Sequence, residues 1–328
     1  MHGKGSGKRE VEYKDTTETN RMRYWQKDYN ALLARTFIDI PDQVEPFVIR
    51  PIKKGPQQGN LIRVPICSWD NDVNRIFNRN NWDCGGRFYG GWWQGVGSEL
   101  RKKIHINGQP TIEVDYSAQH IAILSARHGV TVTGDPYELD ADLLPGFNRG
   151  DQRKVVKLLV LMAINATDRN AACQAFRQTS PIGSVARSMK NVELLRVLDA
   201  FIKKFPHLKE DLCSDQGIRL MKTDSEIAFH VINGMTIRGI PVLCVHDSFI
   251  VDYSHGQLLK GFMSGISEEV VGHPISVSNN YQGLDEVRAN DPELVADYVR
   301  MRHIDPCPQY QARQRLFAER VAYCRSLE

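Results

Sequence analysis

The sequence predicts an α+β fold in which an antiparallel β-sheet packs against long helices. PTIEVDY at 110–116 alternates apolar and polar residues, which is the period of a half-buried strand. GIPVLCVHDSFIV at 239–251 is typical of a turn, a buried strand, a sharp polar tip and a second strand. Between these two segments lie apolar patterns with helical spacing, such as 151–166. The presence of both strands and long helices therefore indicates the α+β class.

The composition is that of an ordinary globular protein with enough apolar residues for a sizeable core. The 328 residues include 42 Lys and Arg against 39 Asp and Glu, a formal net charge of +3. Apolar residues make up 41% and charged residues 25%, which excludes disordered, collagenous and membrane classes. The mildly basic balance permits a nucleic-acid partner without requiring one. The seven Cys have no CxxC spacing, so we expect reduced thiols in a cytoplasmic protein.

The remaining elements follow from periodicity and from breaks in it. Residues 1–10, MHGKGSGKRE, are expected to form a flexible basic tail. Residues 20–40 predict an amphipathic helix, after which PDQVEP at 41–46 and KKGPQQGN at 53–60 interrupt regular structure. A polar stretch rich in Asn and Arg covers 62–83. Further helices are predicted at 120–128, 190–204 and 224–233, and two charged helices at 292–328 around DPCPQ.

Two acids stand where a predicted strand reaches a polar tip, Asp115 after IEV and Asp247 after VLCVH. A strand end fixes a side chain in place, which suits a ligand of a metal ion. Two carboxylates brought together repel each other unless a hard divalent cation lies between them. Two such ions can hold the attacking and leaving oxygens of a phosphoryl transfer. The alternative for each acid alone is structural: Asp115 caps the next helix, and residues 246–247 form a hairpin turn.

The helix predicted at 151–166 carries a cationic stripe. Arg153, Lys157, Leu161 and Asn165 are four residues apart and therefore share one face. Two cations one turn apart repel each other, and a triphosphate would relieve that repulsion. The alternative is a core helix whose Arg and Lys side chains extend to solvent.

A third candidate is GGRFYGGWWQ at 85–94. Its glycines allow close backbone approach, its aromatic rings offer stacking faces and Arg87 offers a phosphate fork. Such a segment suits a nucleic-acid backbone. The alternative is a Gly-rich turn whose aromatic residues fold into the core.

Taken together, GRFY, VDYS, R-x3-K and VHDS occur in an order that carries more weight than any one of them. Over about residues 80–255 the chain resembles the palm and fingers of the family A polymerases, that is, the DNA polymerase I-like enzymes and the single-subunit phage-type RNA polymerases. DYS at 115–117 is similar to motif A, RKVVK at 153–157 to motif B and HDS at 246–248 to motif C. GRFY at 86–89 is similar to the segment before motif A that contacts template and primer.

The resemblance implies a two-metal nucleotidyl transfer site. Asp115 and Asp247 are expected to hold two Mg²⁺ ions, which Mn²⁺ can replace, with the backbone carbonyl of Tyr116 as a further ligand. Lys157 is the third catalytic residue, since it pairs with the triphosphate and gives a proton to the leaving pyrophosphate. Nucleotide-binding residues are then Arg153, Lys157, Tyr116, Ser117, His120, Leu161 and Asn165, and nucleic-acid-binding residues are Arg87, Tyr89, His246 and Gln216.

Two departures from the family pattern concern the sugar. His120 stands where the DNA polymerase branch has the Glu that helps to exclude ribose. Leu161 stands where the motif B helix presents an aromatic residue, and Asn165 and Ala166 stand where it presents a Tyr-Gly pair. We therefore expect ribonucleotides to be tolerated. Gln216 and Glu226 precede motif C and either contact the template or form an exposed polar helix face.

The expected organisation has three parts. Residues 1–80 hold a tail and a reduced thumb-like helical region, 81–290 the palm and fingers (fingers about 140–215), and 291–328 a helical C-terminal tail. We expect no room for a proofreading domain, a promoter-reading domain or a complete thumb, and hence low processivity. Primer synthesis for a phage or mobile element would suit these features.

The expected partners are a template, a primer or product strand and nucleoside triphosphates. An accessory subunit, a helicase or a single-strand-binding protein would offset weak duplex binding, and no membrane is involved. Two other classes stay open: a catalytically inactive nucleic-acid-binding replication accessory protein, and a two-metal nuclease. Binding alone needs no metal-holding acids, and a nuclease needs no triphosphate-gripping helix.

Overall fold

The computed structural model describes residues 10–52, 59–69, 71–139, 142–287 and 291–327 and places them in a mixed α/β fold with an antiparallel sheet. The strands are β1 Ile38–Asp39, β2 Phe47–Pro51, β3 Leu61–Pro65, β4 Asn74–Asn78, β5 Asn81–Tyr89, β6 His105–Ile106, β7 Gln109–Tyr116, β8 Val242–Val245, β9 Ser248–Asp252 and β10 Val277–Asn279. The helices are α1 Thr17–Ala34, α2 Ser98–Arg101, α3 Gln119–Arg127, α4 Arg149–Asn165, α5 Arg169–Thr179, α6 Val185–Ser188, α7 Asn191–Lys204, α8 Gly217–Ile237, α9 Gly256–Val271, α10 Pro292–Arg302 and α11 Pro308–Arg325.

The central sheet has the strand order β1-β6-β7-β9-β8, and β10 pairs with β7 as a sixth strand. All its pairings are antiparallel, which confirms the predicted sheet type. β7 lies in the middle, with β9 along one edge and β6 and β10 along the other. The strand predicted at 110–116 and the two strands predicted within 239–251 are confirmed as β7, β8 and β9.

Tight hairpins join several strands. β6 and β7 are linked through Asn107 and Gly108, with φ of +51° and +82°, so both central residues take the left-handed conformation that a two-residue hairpin favours. Arg79 and Asn80, with φ of +56° and +52°, do the same between β4 and β5. The stretch 62–83, which we expected only to be polar, thus contains most of β3, all of β4 and the start of β5. Its Asn and Arg residues lie in hairpins outside the central sheet, where no strict apolar alternation is required.

The first helix is shorter at its C-terminal end than the predicted 20–40. α1 begins after Thr16, whose hydroxyl accepts the Thr19 N–H at 3.1 Å, and it ends at Ala34. The chain then turns into β1, where Ile38 pairs with Ile106. Phe37 accordingly leaves the predicted helical face and packs against Tyr310 and Phe317 of α11, with ring centroids 5.2 Å and 5.5 Å away.

The other predicted helices are confirmed, with one change in length. α3, α4 and α7 match the predictions at 120–128, 151–166 and 190–204, and α10 and α11 match the pair at 292–328. α8 covers 21 residues, about twice the length of the helix predicted at 224–233, because buried residues occur along almost its whole length. The predicted tail at 1–9, residues 53–58 of the predicted break, and the predicted boundaries at 140 and 290 lie outside the described residues.

One apolar core connects the sheet with the helices. It includes Leu33 of α1, Ile112 of β7, Leu159 of α4 and Tyr298 of α10. Tyr29 of α1 is 1% exposed, and its hydroxyl donates to the Val242 carbonyl of β8 at 2.7 Å. Side chains from all three predicted regions thus share this core. Across the described part of the chain, no helix combines the length and the apolar character needed to cross a membrane.

Candidate active site

The structure brings Asp115 and Asp247 together at one end of the central sheet. Asp115 is paired with Ser248 across β7 and β9, and the next N–H along β7, that of Tyr116, donates to the Asp247 carbonyl at 3.3 Å. Asp115 at the end of β7 and Asp247 in the turn just before β9 therefore occupy neighbouring positions. Desolvation and the nearby charge of Asp247 raise the pKa of Asp115 to about 7.

The two structural alternatives for these acids have different outcomes. The residue that precedes α3 is Ala118, with φ of +49°, and no side chain caps this helix, so Asp115 is not a cap. His246 and Asp247 do form the two-residue turn between β8 and β9, and His246 has φ of +60°. The hairpin turn does not exclude a functional role for Asp247, because a tight hairpin fixes the position of its carboxylate.

A charged network that sequence reasoning missed lies beside the acids. Arg101 of α2 donates to both carboxylate oxygens of Glu113, at 3.0 Å and 2.9 Å, and the Ser248 hydroxyl donates to Glu113 at 2.7 Å. Glu113 is two residues before Asp115 on β7, so strand alternation puts both side chains on the same face. Glu113 raises the pKa of Asp115, and Arg101 lowers it. Alternation was the sequence signal that could have identified Glu113.

A cavity of about 330 Å³ opens between the end of β7 and α4. It contains Asp115 together with the two cations of α4, Arg153 and Lys157. Tyr116, Ser117, Ala118, Gly134, Asp135, Pro136, Tyr137 and Ser278 complete its lining. Asp115 and the two cations thus line the same cavity. They are close enough for the charge of Lys157 to lower the pKa of Asp115. The space is within the size range of sites for small organic molecules.

The cationic stripe of α4 is the side of the helix that the core leaves open. Its opposite side supplies the buried residues Val155, Val156, Leu159, Val160, Ala163 and Ile164. Arg153 forms an ion pair with Asp135, and the Lys157 ammonium lies 5.8 Å from the centroid of the Tyr137 ring. Among the described residues Lys157 has no ion-pair partner. Its charge is therefore available to a ligand in the cavity.

The end of the stripe lies apart from the cavity lining. Leu161 is 40% exposed, and the Asn165 amide donates to the Leu161 carbonyl at 2.7 Å. Asn165 also packs on Gly217, where an added Cβ would lie 1.8 Å from the Asn165 Oδ1. Gln216, the residue before Gly217, donates to the Ser214 hydroxyl at 3.4 Å. Leu161, Asn165 and Gln216 thus continue the same open face toward the start of α8.

Arg87 is held by a carboxylate that sequence reasoning did not single out. Its Nε donates to Asp224 Oδ2 of α8 at 2.8 Å, and Asp224 is 1% exposed. His120 lies beside this pair, with its Nε2 3.5 Å from the same carboxylate oxygen. Glu226 is also engaged, because it forms ion pairs with Arg75 and Lys222 at 2.7 Å each. Glu226 therefore belongs to a half-buried group of ion pairs rather than to a fully exposed polar face.

The rings of Tyr89 and His246 contact each other next to Asp247. Their ring centroids are 5.4 Å apart at 62°. Burial lowers the pKa of His246, which keeps the ring neutral, and its Nδ1 is buried without a hydrogen-bond partner among the described residues. The other aromatic residues of 85–94 follow the alternative reading, because Phe88, Trp92 and Trp93 belong to the core.

Comparisons with known proteins identify no family for this chain. No protein-family model matches the chain, and no curated protein matches it. Among solved structures, the POL domain of Pol1 from M. smegmatis, in complex with DNA primer-template and dNTP, aligns with 11% identity and a TM-score of 0.43. The alignment covers 65% of this chain and 47% of that one, so the chain spans about half of that structure's length. Function must be argued from this chain's own side chains.

Proposed function

We propose that this chain is a template-directed nucleotidyltransferase of the family A polymerase type. The observation that carries the proposal is the cavity that Asp115 shares with Arg153 and Lys157, with Asp247 beside Asp115 in the turn that precedes β9. A site for a nucleoside triphosphate needs both the cations and the acids, because the phosphates attract cations and the reacting centre needs a metal ion held by acids. In this proposal the central sheet is the palm, α4 to α7 belong to the fingers, and α1 belongs to a reduced thumb.

The donor atoms at the sheet end fit Mg²⁺. Within the described residues, no group of three or more His, Cys, Asp and Glu side chains could hold a metal ion, so an ion at this site would depend on the two carboxylates of Asp115 and Asp247. Mg²⁺ is commonly bound by one or two carboxylates together with substrate phosphates and water. Burial and the nearby charge of Asp247 raise the pKa of Asp115, and a cation bound between the two carboxylates would offset their repulsion. Asp115, Asp247 and the Tyr116 carbonyl would hold the ions, whose chemistry when bound is to neutralise charge on the reacting oxygens.

The side chains of α4 bind and neutralise the triphosphate. A bond forms between the 3′-hydroxyl oxygen of the growing strand and the α-phosphorus, the bond from that phosphorus to pyrophosphate breaks, and the hydroxyl proton leaves to solvent. Lys157 gives a proton to the departing pyrophosphate and regains one from water. Arg153 contacts the outer phosphates of the nucleotide. These phosphates must compete with Asp135, which forms an ion pair with Arg153. Ser117 and Tyr116 form the floor under the nucleotide.

The nucleic-acid strands are proposed to lie along the β5 side of the acids. Tyr89 and His246 form a ring pair there that suits a primer terminus, and Arg87 contacts the backbone from its position on Asp224. Gln216, at the start of α8, contacts the template. His120, Leu161 and Asn165 are proposed to line the sugar and base side of the nucleotide.

The direct test is a reaction with labelled nucleotides on a circular single-stranded template with Mg²⁺, or with Mn²⁺ in its place. Incorporation that stops when Asp115 is changed to Ala, while the variant keeps its fold, supports the proposal. Normal incorporation by a folded Asp115→Ala protein would refute it. The same reaction without an annealed primer tests primer synthesis, which strict primer dependence would remove.

Sugar tolerance is tested in the same reaction by comparing NTP with dNTP. We expect ribonucleotides to be incorporated, because the positions that restrict ribose in the DNA polymerase branch are occupied by His120 and Leu161. A preference for dNTP above about 10³, which is about 4 kcal/mol of discrimination, would contradict this.

The rival functions differ in which ligands are expected to stabilise the protein against heat. An inactive replication accessory protein binds nucleic acid without needing the acids, and a two-metal nuclease needs no triphosphate. Thermal stabilisation by NTP together with Mg²⁺, beyond that given by either alone, is expected for a polymerase and for neither rival.

A further inference from the structure

A second cavity, of about 280 Å³, lies between α1 and the β4–β5 hairpin, away from the acids. Three aromatic rings line it: Trp82 meets Tyr13 edge to face at 5.1 Å and Phe77 at 4.6 Å between ring centroids. Phe77 is 5% exposed and forms the inner wall, whereas Tyr13 is 46% exposed and stands at the mouth. The rings thus offer apolar faces at an opening that solvent reaches.

The charged side chains that line this cavity are all cations, and two of the three are paired with acids outside the lining. Arg23, Lys27 and Arg75 line it, and the lining includes no Asp or Glu. Arg75 is neutralised by Glu226, and Arg23 forms an ion pair with Asp15 in which both side chains are well exposed. Such an exposed pair is weak and can exchange its carboxylate for another anion. Lys27 is exposed and forms no ion pair with any described residue.

Aromatic faces combined with lining cations, one of them without an ion-pair partner among the described residues, fit a nucleotide better than a peptide or an uncharged molecule. An aromatic side chain can stack only on a base whose face is free, which excludes a base inside a duplex. The cavity volume suits one base and leaves the phosphate at the exposed rim, where Lys27 and Arg23 stand.

The cavity is also connected to the candidate active site by one strand. β5 runs from Trp82 near the cavity to Tyr89, whose ring contacts His246 beside Asp247. Seven residues of strand span about 23 Å, which equals about seven stacked nucleotides of a single strand. A single-stranded nucleic acid can therefore reach from the acids to the cavity along β5.

We propose that the cavity between α1 and the β4–β5 hairpin binds one unpaired nucleotide of a single strand that extends from the active site, with its base against Trp82 and Tyr13 and its phosphate at Lys27 and Arg23. The inference rests on the proposed function for the path of the strand, and on the cavity's own rings and charges for its ligand.

The test measures binding of a fluorescent oligothymidylate of about twelve nucleotides, within the site sizes of single-strand-binding proteins, and of a blunt duplex hairpin. Trp82→Ala is expected to raise the Kd for the single strand about tenfold, since one base–aromatic stack is lost. Trp69→Ala is the matched control, because Trp69 is 48% exposed and its ring lies by Arg320 of α11, so its Kd should equal the wild type's.

Lys27→Glu guards against a folding defect in the Trp82 variant, since Lys27 is exposed and its replacement leaves the core intact. It should weaken single-strand binding and make the slope of log K against log salt shallower by about one. Wild-type affinity in both variants, or equal loss for the duplex hairpin, would overturn the inference.

Nucleotide incorporation by the same preparations separates the two proposals. Binding that depends on Trp82 in a protein that incorporates no nucleotide would support the cavity's ligand and contradict the polymerase. Incorporation together with binding that ignores both Trp82 and Lys27 would contradict the cavity inference alone.

Discussion

Asp115 and Asp39 are both strand residues, but the charged side chains next to them have opposite signs. Asp39 of β1 is fully buried, and Arg313 of α11 donates to its two oxygens at 2.7 Å and 3.0 Å. Asp115 has a second carboxylate, Asp247, beside it, and its pKa rises to about 7. Burial raises the pKa of Asp39 as well, although Arg313 counteracts it. The first arrangement holds a helix to the sheet, whereas the second concentrates like charge and lowers stability.

The difference separates structural charges from functional ones. A buried acid with a bidentate partner leaves no capacity for a ligand, and the two hydrogen bonds of Arg313 to Asp39 give this arginine a structural role. An acidic pair that opens on a cavity keeps its full capacity to bind a cation. On the cationic side, Lys157 has no ion-pair partner among the described residues, whereas Arg87 shares its charge with Asp224 and so has less of it to offer a phosphate.

The largest expected effect comes from breaking the acidic pair. Asp247→Asn should lower nucleotide incorporation at least about 10³-fold, about 4 kcal/mol in the barrier, because one of the two metal-holding carboxylates is lost. The measurement is single-nucleotide incorporation with Mg²⁺. Asp305→Asn is the control, since Asp305 is a fully exposed acid away from the cavity. Equal rates for the two variants would contradict the assignment.

Breaking the buried ion pair should affect stability instead. Arg313→Ala should lower the free energy of unfolding by about 3 kcal/mol, because it leaves the Asp39 carboxylate buried without a counter-ion. Urea denaturation at neutral pH measures this change. Arg315→Ala, on the exposed side of the same helix, should stay within about 0.5 kcal/mol of the wild type. A small effect at Arg313 would mean that α11 does not depend on this pair.

Removing the free cation of α4 should weaken nucleotide binding. Lys157→Gln should reduce the efficiency of incorporation, kcat/KM for the nucleotide, by about tenfold to a hundredfold, since a charge-assisted phosphate contact is lost. Lys154→Gln is a matched control on the same helix, because Lys154 is exposed and pairs with Asp151 away from the cavity. Equal losses in both variants would indicate a general effect of charge on nucleic-acid binding.

The smallest effect is a gain in stability at the acidic pair. Because the pKa of Asp115 is raised to about 7, the folded protein holds a proton that the unfolded chain releases near pH 4, and its stability falls as the pH rises between these values. Asp115→Asn removes that loss. In a chelator, the variant should equal the wild type below about pH 4 and exceed it by about 1 kcal/mol above about pH 7, a value reduced for solvent screening. A variant less stable than the wild type at pH 8 would contradict the raised pKa.

The sequence predicted the parts of the fold whose pattern is local. β7 alternates, β8 and β9 are apolar on both sides of a polar tip, and α4 has a regular buried face, so the positions of Asp115, Asp247 and Lys157 followed. The turn at Asn107 and Gly108 was also readable, because Asn-Gly is a strong hairpin signal, but it was missed. The hairpins within 47–89 carry too little alternation to be recognised.

Long-range charge pairing was not predictable from spacing. Asp224 is 137 residues from Arg87 in sequence, and nothing local marks it as the partner that neutralises this guanidinium. Asp135 lies in irregular structure, so its ion pair with Arg153 depends on how the 130–139 segment folds over α4. Which cations stay available to a ligand is thus decided by tertiary contacts.

The most direct measurement is equilibrium binding of a labelled nucleoside triphosphate as a function of Mg²⁺ concentration, in the wild type, Asp247→Asn and Lys157→Gln. If the acids and the α4 cations form one site, Mg²⁺ should tighten nucleotide binding in the wild type, Asp247→Asn should remove that dependence, and Lys157→Gln should weaken binding at every Mg²⁺ concentration. Identical affinities in all three proteins, with or without Mg²⁺, would contradict the account.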